Sequence, residues 1–258
     1  AGGEWVGWPE SAFPGIFNWD RARADEVRAW SRLLDIGQLV GSDTLETGVE
    51  GGYRYFNALL AVDARGRLRD STAKHHLVPF GEYVPLQDTW LAFIRKVVER
   101  YGAGNFQSAP PPRPLDLTPE AGRPGALICF ESIFGRYAAS LAAQGADWLV
   151  VVTNDAWFLG TAAPAQHAAF SALRAAETDR WLVRAAATGI SCLFDARGGL
   201  RGLVPEGEVG WLAGRVERRT GQTPAVFARD WLAWFCAAAA AGAFLWPRRK
   251  RATPKGEV

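Results

Sequence analysis

Between Asp147 and Thr153 the chain reads Asp-Trp-Leu-Val-Val-Val-Thr, an apolar run with no polar alternation. Unbroken runs of this kind, rich in β-branched residues, suit a strand covered on both faces, and such strands sit inside layered folds. The flanking sequence supplies the other layers. Asp20 to Leu34 places Val27, Trp30, Ser31 and Leu34 at helical spacing; Gly135 to Gln144 reads as a helix closed by Gly145; a third helix is expected from Ala165 to about Arg184. Strand candidates are Trp5 to Trp8, Gln38 to Gly41, Ala58 to Val62, Ala126 to Phe130, and Ile190 to Phe194 before the turn Asp195-Ala196-Arg197-Gly198-Gly199. Strands alternating with helices predict an α/β fold. No internal repeat is present.

Composition narrows the class. With 48% hydrophobic and 22% charged residues in 258, the chain is globular and large enough for a substantial core. The net charge of +2 is uneven: Arg248, Arg249, Lys250, Arg251 and Lys255 against Glu257 put +4 on residues 247–258 and leave −2 on the rest. The body therefore carries no electrostatic footprint for nucleic acid. Three scattered cysteines, Cys129, Cys192 and Cys236, make neither a disulfide framework nor a CxxC metal site.

From Trp231 to Trp246 runs a stretch of sixteen residues without a charge, followed by Pro247 and four basic residues. At ~1.5 Å per residue the stretch covers ~24 Å against a hydrocarbon core of ~30 Å; starting at Phe227, with Arg229 and Asp230 paired or snorkelling, supplies the rest. Tryptophan at both ends and the abutting basic cluster predict a membrane span over 227–247, a cytoplasmic tail over 248–258, and residues 1–226 on the opposite side. The alternative is a buried Ala-rich core helix. Twelve tryptophans fit a protein with apolar surface facing lipid or large ligands.

Three side chains fall at strand ends or in the loops just after: Glu10, Lys74 and Cys129. A thiol becomes a nucleophile when a base takes its proton and a cation favours the thiolate, and the same cation can hold the oxyanion of an acyl intermediate, helped by a backbone N–H just after the cysteine. Singly, each has a plainer reading: an inert buried thiol, a surface acid, a solvated lysine. Adjacent His75 and His76 point apart on an extended segment, and His167 in a helix reads as hydrogen-bonded structure, so no metal or other cofactor is expected. Cys192 and Cys236 read as small apolar fillers. The Gly- and Pro-rich stretch from Gly102 to Pro124 is long for a compact domain and suits a functional loop. Trp90, Phe93, Tyr101 and Phe106 would form a lipid-touching flap there, or core if Trp90, Phe93 and Val97 keep helical spacing.

WPESAFP at Trp8, KHHLVPFGEYVP at Lys74, ICFES at Ile128 and NDAWF at Asn154, in this order, resemble the nitrilase or carbon-nitrogen hydrolase superfamily. The run from Gln166-His167 to Arg174-Ala175-Ala176-Glu177-Thr178 is similar to its apolipoprotein N-acyltransferase branch. The resemblance extends from Glu4 to Arg251. It implies a nitrilase-like α-β-β-α sandwich with Glu10 as general base, Lys74 as oxyanion cation and Cys129 as acylated nucleophile. Glu82 and Glu131 would be supporting acids, and Asn57 and Trp157 would line the site. Phe130 departs from a position where the family often has tyrosine. The branch carries membrane helices, a strand and a helix ahead of the WPE segment, so a C-terminal fragment lacking the first strand and helix of its catalytic domain is expected.

Also implied are a phospholipid acyl donor, a diacylglyceryl-cysteine apolipoprotein acceptor, and a bacterial inner-membrane location with the catalytic domain periplasmic. The rival readings are a soluble amidase of the same superfamily and an inactive nitrilase-like binding module.

Overall fold

The computed structural model describes residues 5–48, 51–83, 106–228 and 231–245. Two sheets face each other. The first has the order β1 (Trp5–Gly7), β2 (Gly37–Thr47), β3 (Tyr53–Val62), β4 (Leu68–Ala73); the second runs β5 (Pro124–Ile128), β6 (Trp148–Thr153), β7 (Leu182–Ala186), β8 (Ser191–Phe194), β9 (Leu200–Val204). β1 is parallel to β2, β5 and β6 are parallel, and so are β6 and β7; the remaining pairs are antiparallel.

Period-two alternation explains the layers. In the first sheet Leu39, Leu59 and Ala61 point inward and meet Ala126, Ile128, Val150 and Val152 of the second. Their neighbours Val40, Leu60 and Val62 point outward onto Phe13, Phe17 and Ala24, the last on helix α1 (Arg21–Leu34). In the second sheet Leu127, Leu149 and Val151 point outward onto α2 (Gly135–Ala143) and α3 (Ala163–Thr178) through Tyr137, Ala138, Leu141 and Ala175. The order of layers is helix, sheet, sheet, helix, as expected. Because β5 and β6 are buried on both sides, they are wholly apolar along their lengths apart from terminal Thr153.

Local chemistry fixes the ends. The Asp20 carboxylate accepts the Arg23 N–H at 3.2 Å and starts α1. Gln38 then ties α1 to the sheet, donating to Ser31 Oγ at 2.7 Å and to the Val27 carbonyl at 2.9 Å while accepting the Trp8 indole N–H at 2.9 Å.

Several expectations need correction. The third helix stops at Thr178, where Asp179 takes a left-handed conformation, and Leu182 to Ala186 is strand β7. Phe130 is not strand but part of a 3-10 turn over Cys129–Ile133. The edge strands β4 and β9 fall outside the strand candidates read from the sequence.

The transmembrane helix over 227–247 is not found either: short α4 (Pro224–Ala228) is followed by α5 (Trp231–Leu245) of 15 residues, and among the described residues no helix is long and apolar enough to cross a membrane. Nor is α5 a core helix. Its described side chains face outward, with Trp231 76%, Trp234 73% and Phe244 90% exposed, and Cys236 is exposed rather than a packing filler. Trp90, Phe93, Val97, Tyr101 and the tail over 248–258 lie outside the described residues; of the expected flap, Phe106 forms an isolated bridge with Tyr55.

Candidate active site

Glu10, Lys74, Cys129 and Asn154 each follow the carboxyl end of a strand, β1, β4, β5 and β6 respectively. The first two come from one sheet and the last two from the other, so the site is the seam where the sheets meet.

Glu10 reaches the seam because Gly41 on β2 has no side chain: a Cβ there would lie 2.0 Å from the Pro9 carbonyl oxygen. The Glu10 carboxylate is 7% exposed and fully engaged. Oε1 accepts Asn57 Nδ2 at 2.6 Å, and Oε2 accepts the Asn154 backbone N–H at 2.8 Å from the opposite sheet. Lys74, 1% exposed, places Nζ 2.6 Å from Glu82 Oε1 and 3.5 Å from Glu10 Oε1. Burial alone would drive off its proton, but the charges of Glu10, Cys129 and Glu82 outweigh that and hold the ammonium well above the ordinary lysine value. Glu82 is itself oriented by the Val78 N–H, which donates to Oε2 at 2.8 Å.

Cys129 has φ +52°, an uncommon conformation for a residue with a side chain. Ser11 and Phe80, close to Glu10 and Glu82 in sequence, share it, whereas Asp35 and Asp179, the other such residues described, are helix C-caps. Strain of this kind persists only where surroundings over-determine it. At Cys129 they do. The buried Glu131 carboxylate accepts the Ile128 N–H at 2.9 Å on one oxygen and the His75 and His76 N–H groups at 2.8 and 3.0 Å on the other. Burial raises the Glu131 carboxyl and these three donors oppose it. The Cys129 carbonyl accepts Ser132 Oγ at 2.9 Å and lies 3.1 Å from His167 Nε2.

Burial and the Glu10 charge push the thiol up to about 12, against the pull of Lys74. The resting sulfur is therefore protonated, and nucleophilic attack requires a base. Glu10, whose charge acts on the thiol, is the carboxylate placed to serve as that base.

Behind the nucleophile lies a network that sequence reasoning missed. Fully buried Arg184 donates through Nη2 to Asp155 Oδ2 at 2.7 Å, and Asp155 Oδ1 is 2.9 Å from His167 Nδ1 and accepts the Thr153 hydroxyl at 3.0 Å. Gly189 permits this, since a Cβ there would fall 2.1 Å from Asp155 Oδ2. His167 is thus hydrogen-bonded on both ring nitrogens. Asp155 stood in the NDAWF motif and His167 read as hydrogen-bonded structure, but their partner showed only as an arginine inside an otherwise apolar run.

The remaining expected residues divide. Asn57 and Glu82 join the cluster, and the Phe130 ring stacks on His76 at 6.1 Å and meets Phe134 edge-on at 5.4 Å. Trp157 does not: its ring is 81% exposed on a turn after Asn154. His75 and His76 have separate partners, the Ala109 carbonyl at 2.6 Å and the Tyr137 hydroxyl at 3.1 Å.

A fold of two facing sheets flanked by helices, with a cysteine, a lysine and glutamates at its seam, matches a known class: residues 2–224 fit the sequence model of the carbon-nitrogen hydrolase family. The chain belongs to that family. Solved structures agree on the fold: a carbon-nitrogen hydrolase from Helicobacter pylori G27 aligns with TM-score 0.59 at 12% identity over 79% of this chain and 74% of its own. An amidase of the nitrilase superfamily from Nesterenkonia aligns with TM-score 0.59 at 19% identity over 92% of this chain and 84% of its own.

Within the family, the similar curated relatives are apolipoprotein N-acyltransferases. Those of Geobacter metallireducens and Methylococcus capsulatus are 38% and 35% identical over 91% and 95% of this chain. The matched regions are 44% and 47% of those relatives, so the chain spans about half their length.

Proposed function

We propose that this chain transfers a fatty acyl group from a phospholipid, through a Cys129 thioester, to the α-amine of a diacylglyceryl-cysteine. The reading is supported most by one relationship: a buried ammonium, Lys74, lies between two carboxylates, and it and Glu10 act on the same buried thiol with opposite sign. The names of the relatives support acyl transfer to an apolipoprotein amine; the phospholipid donor and the diacylglyceryl-cysteine are part of the proposal.

Glu10 removes the Sγ proton as sulfur attacks the ester carbonyl. Lys74 and the Phe130 N–H hold the resulting oxyanion. Collapse breaks the ester C–O bond, and Glu10 returns its proton to the departing lysophospholipid alkoxide, leaving the thioester. The neutral amine of the acceptor then attacks the thioester carbon, Glu10 takes the amine proton, and as the C–S bond breaks Glu10 passes that proton to sulfur, giving amide and thiol. Glu82 and Glu131 position Lys74 and the cysteine turn without touching substrate.

A membrane location belongs to the same reading. Helix α5 exposes an apolar surface on all its described side chains, which water leaves unfavourably solvated and lipid would cover. We place α5 against the bacterial inner membrane, its apolar side chains toward lipid, with the two-sheet domain on the periplasmic side.

The test incubates the chain with phospholipid vesicles and reads intact mass, then adds a diacylglyceryl-cysteine peptide. An acyl-sized increase on Cys129 that moves to the peptide supports the proposal. No adduct, or an undiminished adduct in Cys129→Ala, defeats it, and turnover of a small amide without an adduct from lipid would point to the amidase reading.

A further inference from the structure

β2 and β3 are antiparallel with Asp43 directly opposite Asn57. Opposed residues project from the same face, with Cβ atoms about 4.5–5.5 Å apart. Here that face is the one turned toward the second sheet, since Leu39 and Leu59 share it and Pro9 lies over Gly41. Asn57 commits its Nδ2 to Glu10 at 2.6 Å, which fixes which end of the amide faces the base and turns Oδ1 elsewhere. Among the described residues neither Asn57 Oδ1 nor Asp43 Oδ1 has a hydrogen-bond partner, though both atoms are buried. Two acceptors from opposed residues cannot satisfy each other, because both present lone pairs. One proton satisfies both.

We infer that Asp43 is the neutral carboxylic acid in the resting protein, donating its O–H to the Asn57 amide oxygen, and that this pair fixes the orientation of Glu10. The surroundings agree. The Glu10 and Glu82 carboxylates face Asp43 from the segments after β1 and β4, and they and burial raise its carboxyl, with only the Ser11 hydroxyl acting the other way. The Lys74 ammonium, the cation of this cluster, is already held by those two glutamates. An amide that accepts a hydrogen bond at oxygen is polarised and donates more strongly at nitrogen. Asn57 is therefore locked in one orientation and holds Glu10 Oε1 beside Lys74, while Asn154 holds Oε2. Asp43 is a positioning residue, acting through Asn57 without touching substrate. Its effect on rate rests on Glu10 being the base; its protonation does not.

The protonation is tested by infrared spectroscopy of the chain at neutral pH. A carbonyl-stretch band of a protonated carboxylic acid should be present and should vanish in Asp43→Asn, an outcome independent of any acyl-transfer activity. A water bridging the two oxygens would leave Asp43 ionised, and absence of that band overturns the inference. The positioning role is tested by single-turnover thioester formation. Asp43→Ala removes the donor and should lower the rate ~10-fold, the ~1.4 kcal/mol of one hydrogen bond, with substrate KM little changed. Asp43→Asn keeps an N–H donor toward Asn57 and should restore the rate to within ~threefold of the parent. It should also abolish the alkaline loss of rate caused by Asp43 ionisation. Equal impairment of the two variants, or an unchanged alkaline limb in Asp43→Asn, refutes the role.

Discussion

Glu131, two residues beyond Cys129, accepts the backbone N–H of His75, the residue directly after Lys74, at 2.8 Å. The nucleophile turn and the cation segment are thereby fastened through one carboxylate that also holds His76 and Ile128. Glutamine has a single acceptor oxygen, so Glu131→Gln leaves at least one buried N–H without a partner. Thermal or urea unfolding should show a loss of ~1–3 kcal/mol, and thioester formation should fall with it. The pH dependence has a definite sign. Because the folded carboxyl is raised, its contribution to stability is present below the unfolded value and is lost as pH rises through the folded value. That acid-side gain should disappear in Glu131→Gln.

Thiol reactivity and catalysis should part company in Glu10→Gln. The Glu10 charge raises the Cys129 thiol, so removing it lowers the thiol value and increases thiolate at a fixed pH. Alkylation of Cys129 by iodoacetamide should accelerate about tenfold for each unit the value falls. Acyl transfer, deprived of its base, should slow ~10²–10⁴-fold. Peptide mass spectrometry must read the site, since Cys236 is exposed and will react first. Slower alkylation in the variant would contradict the charge assignment.

Lys74→Met should act oppositely on the thiol. Loss of the ammonium removes the charge that favours thiolate and leaves Glu10 and Glu82 repelling across the gap. Alkylation should slow, and acyl transfer should drop ~10²–10³-fold through the lost oxyanion contact. Since the folded lysine is raised, its stabilising contribution is complete below the ordinary lysine value and is lost only as pH rises through the folded one. The parent should therefore outlast Lys74→Met in thermal melts at neutral pH, with the gap closing at strongly alkaline pH.

Asp155→Asn should unfold more easily by ~3–5 kcal/mol, because it strands Arg184, whose side chain is 0% exposed. The Asp155 carboxyl is held low by His167 and Arg184 despite its burial. Its contribution is present above the unfolded aspartate value and is lost as pH falls through the folded value, so acid melting below about pH 4 should be steeper in the parent. Equal pH profiles for parent and variant would contradict this.

What the sequence disclosed follows from how local each signal was. β6 was legible because burial on both faces leaves no polar residue to confuse the period. β7 was not, because the Ala-rich pattern of α3 runs on without a glycine: Asp179 stops the helix, and Arg184 looks polar until Asp155 is seen opposite it. β4 and β9 are edge strands, the first largely polar and the second interrupted by Arg201 and Gly202, and neither buries a clean alternating face. Glu10, Lys74 and Cys129 stood in recognisable motifs, whereas the Asp155, His167 and Arg184 network joins three elements that nothing in their spacing connects. The span over 227–247 was read from composition, which gives the length of an apolar run but not the bounds of a helix.

Glu10 and Lys74 arrive on one sheet and Cys129 on the other, with Asn154 and Glu131 as the fasteners across the gap. The reacting groups therefore behave as a gauge of inter-sheet distance. A change in side-chain volume at Val150, in the core between the sheets, should alter the separation of sulfur and carboxylate. Evolution of the core in this protein is thus constrained by registration of its two halves as much as by how well each half packs.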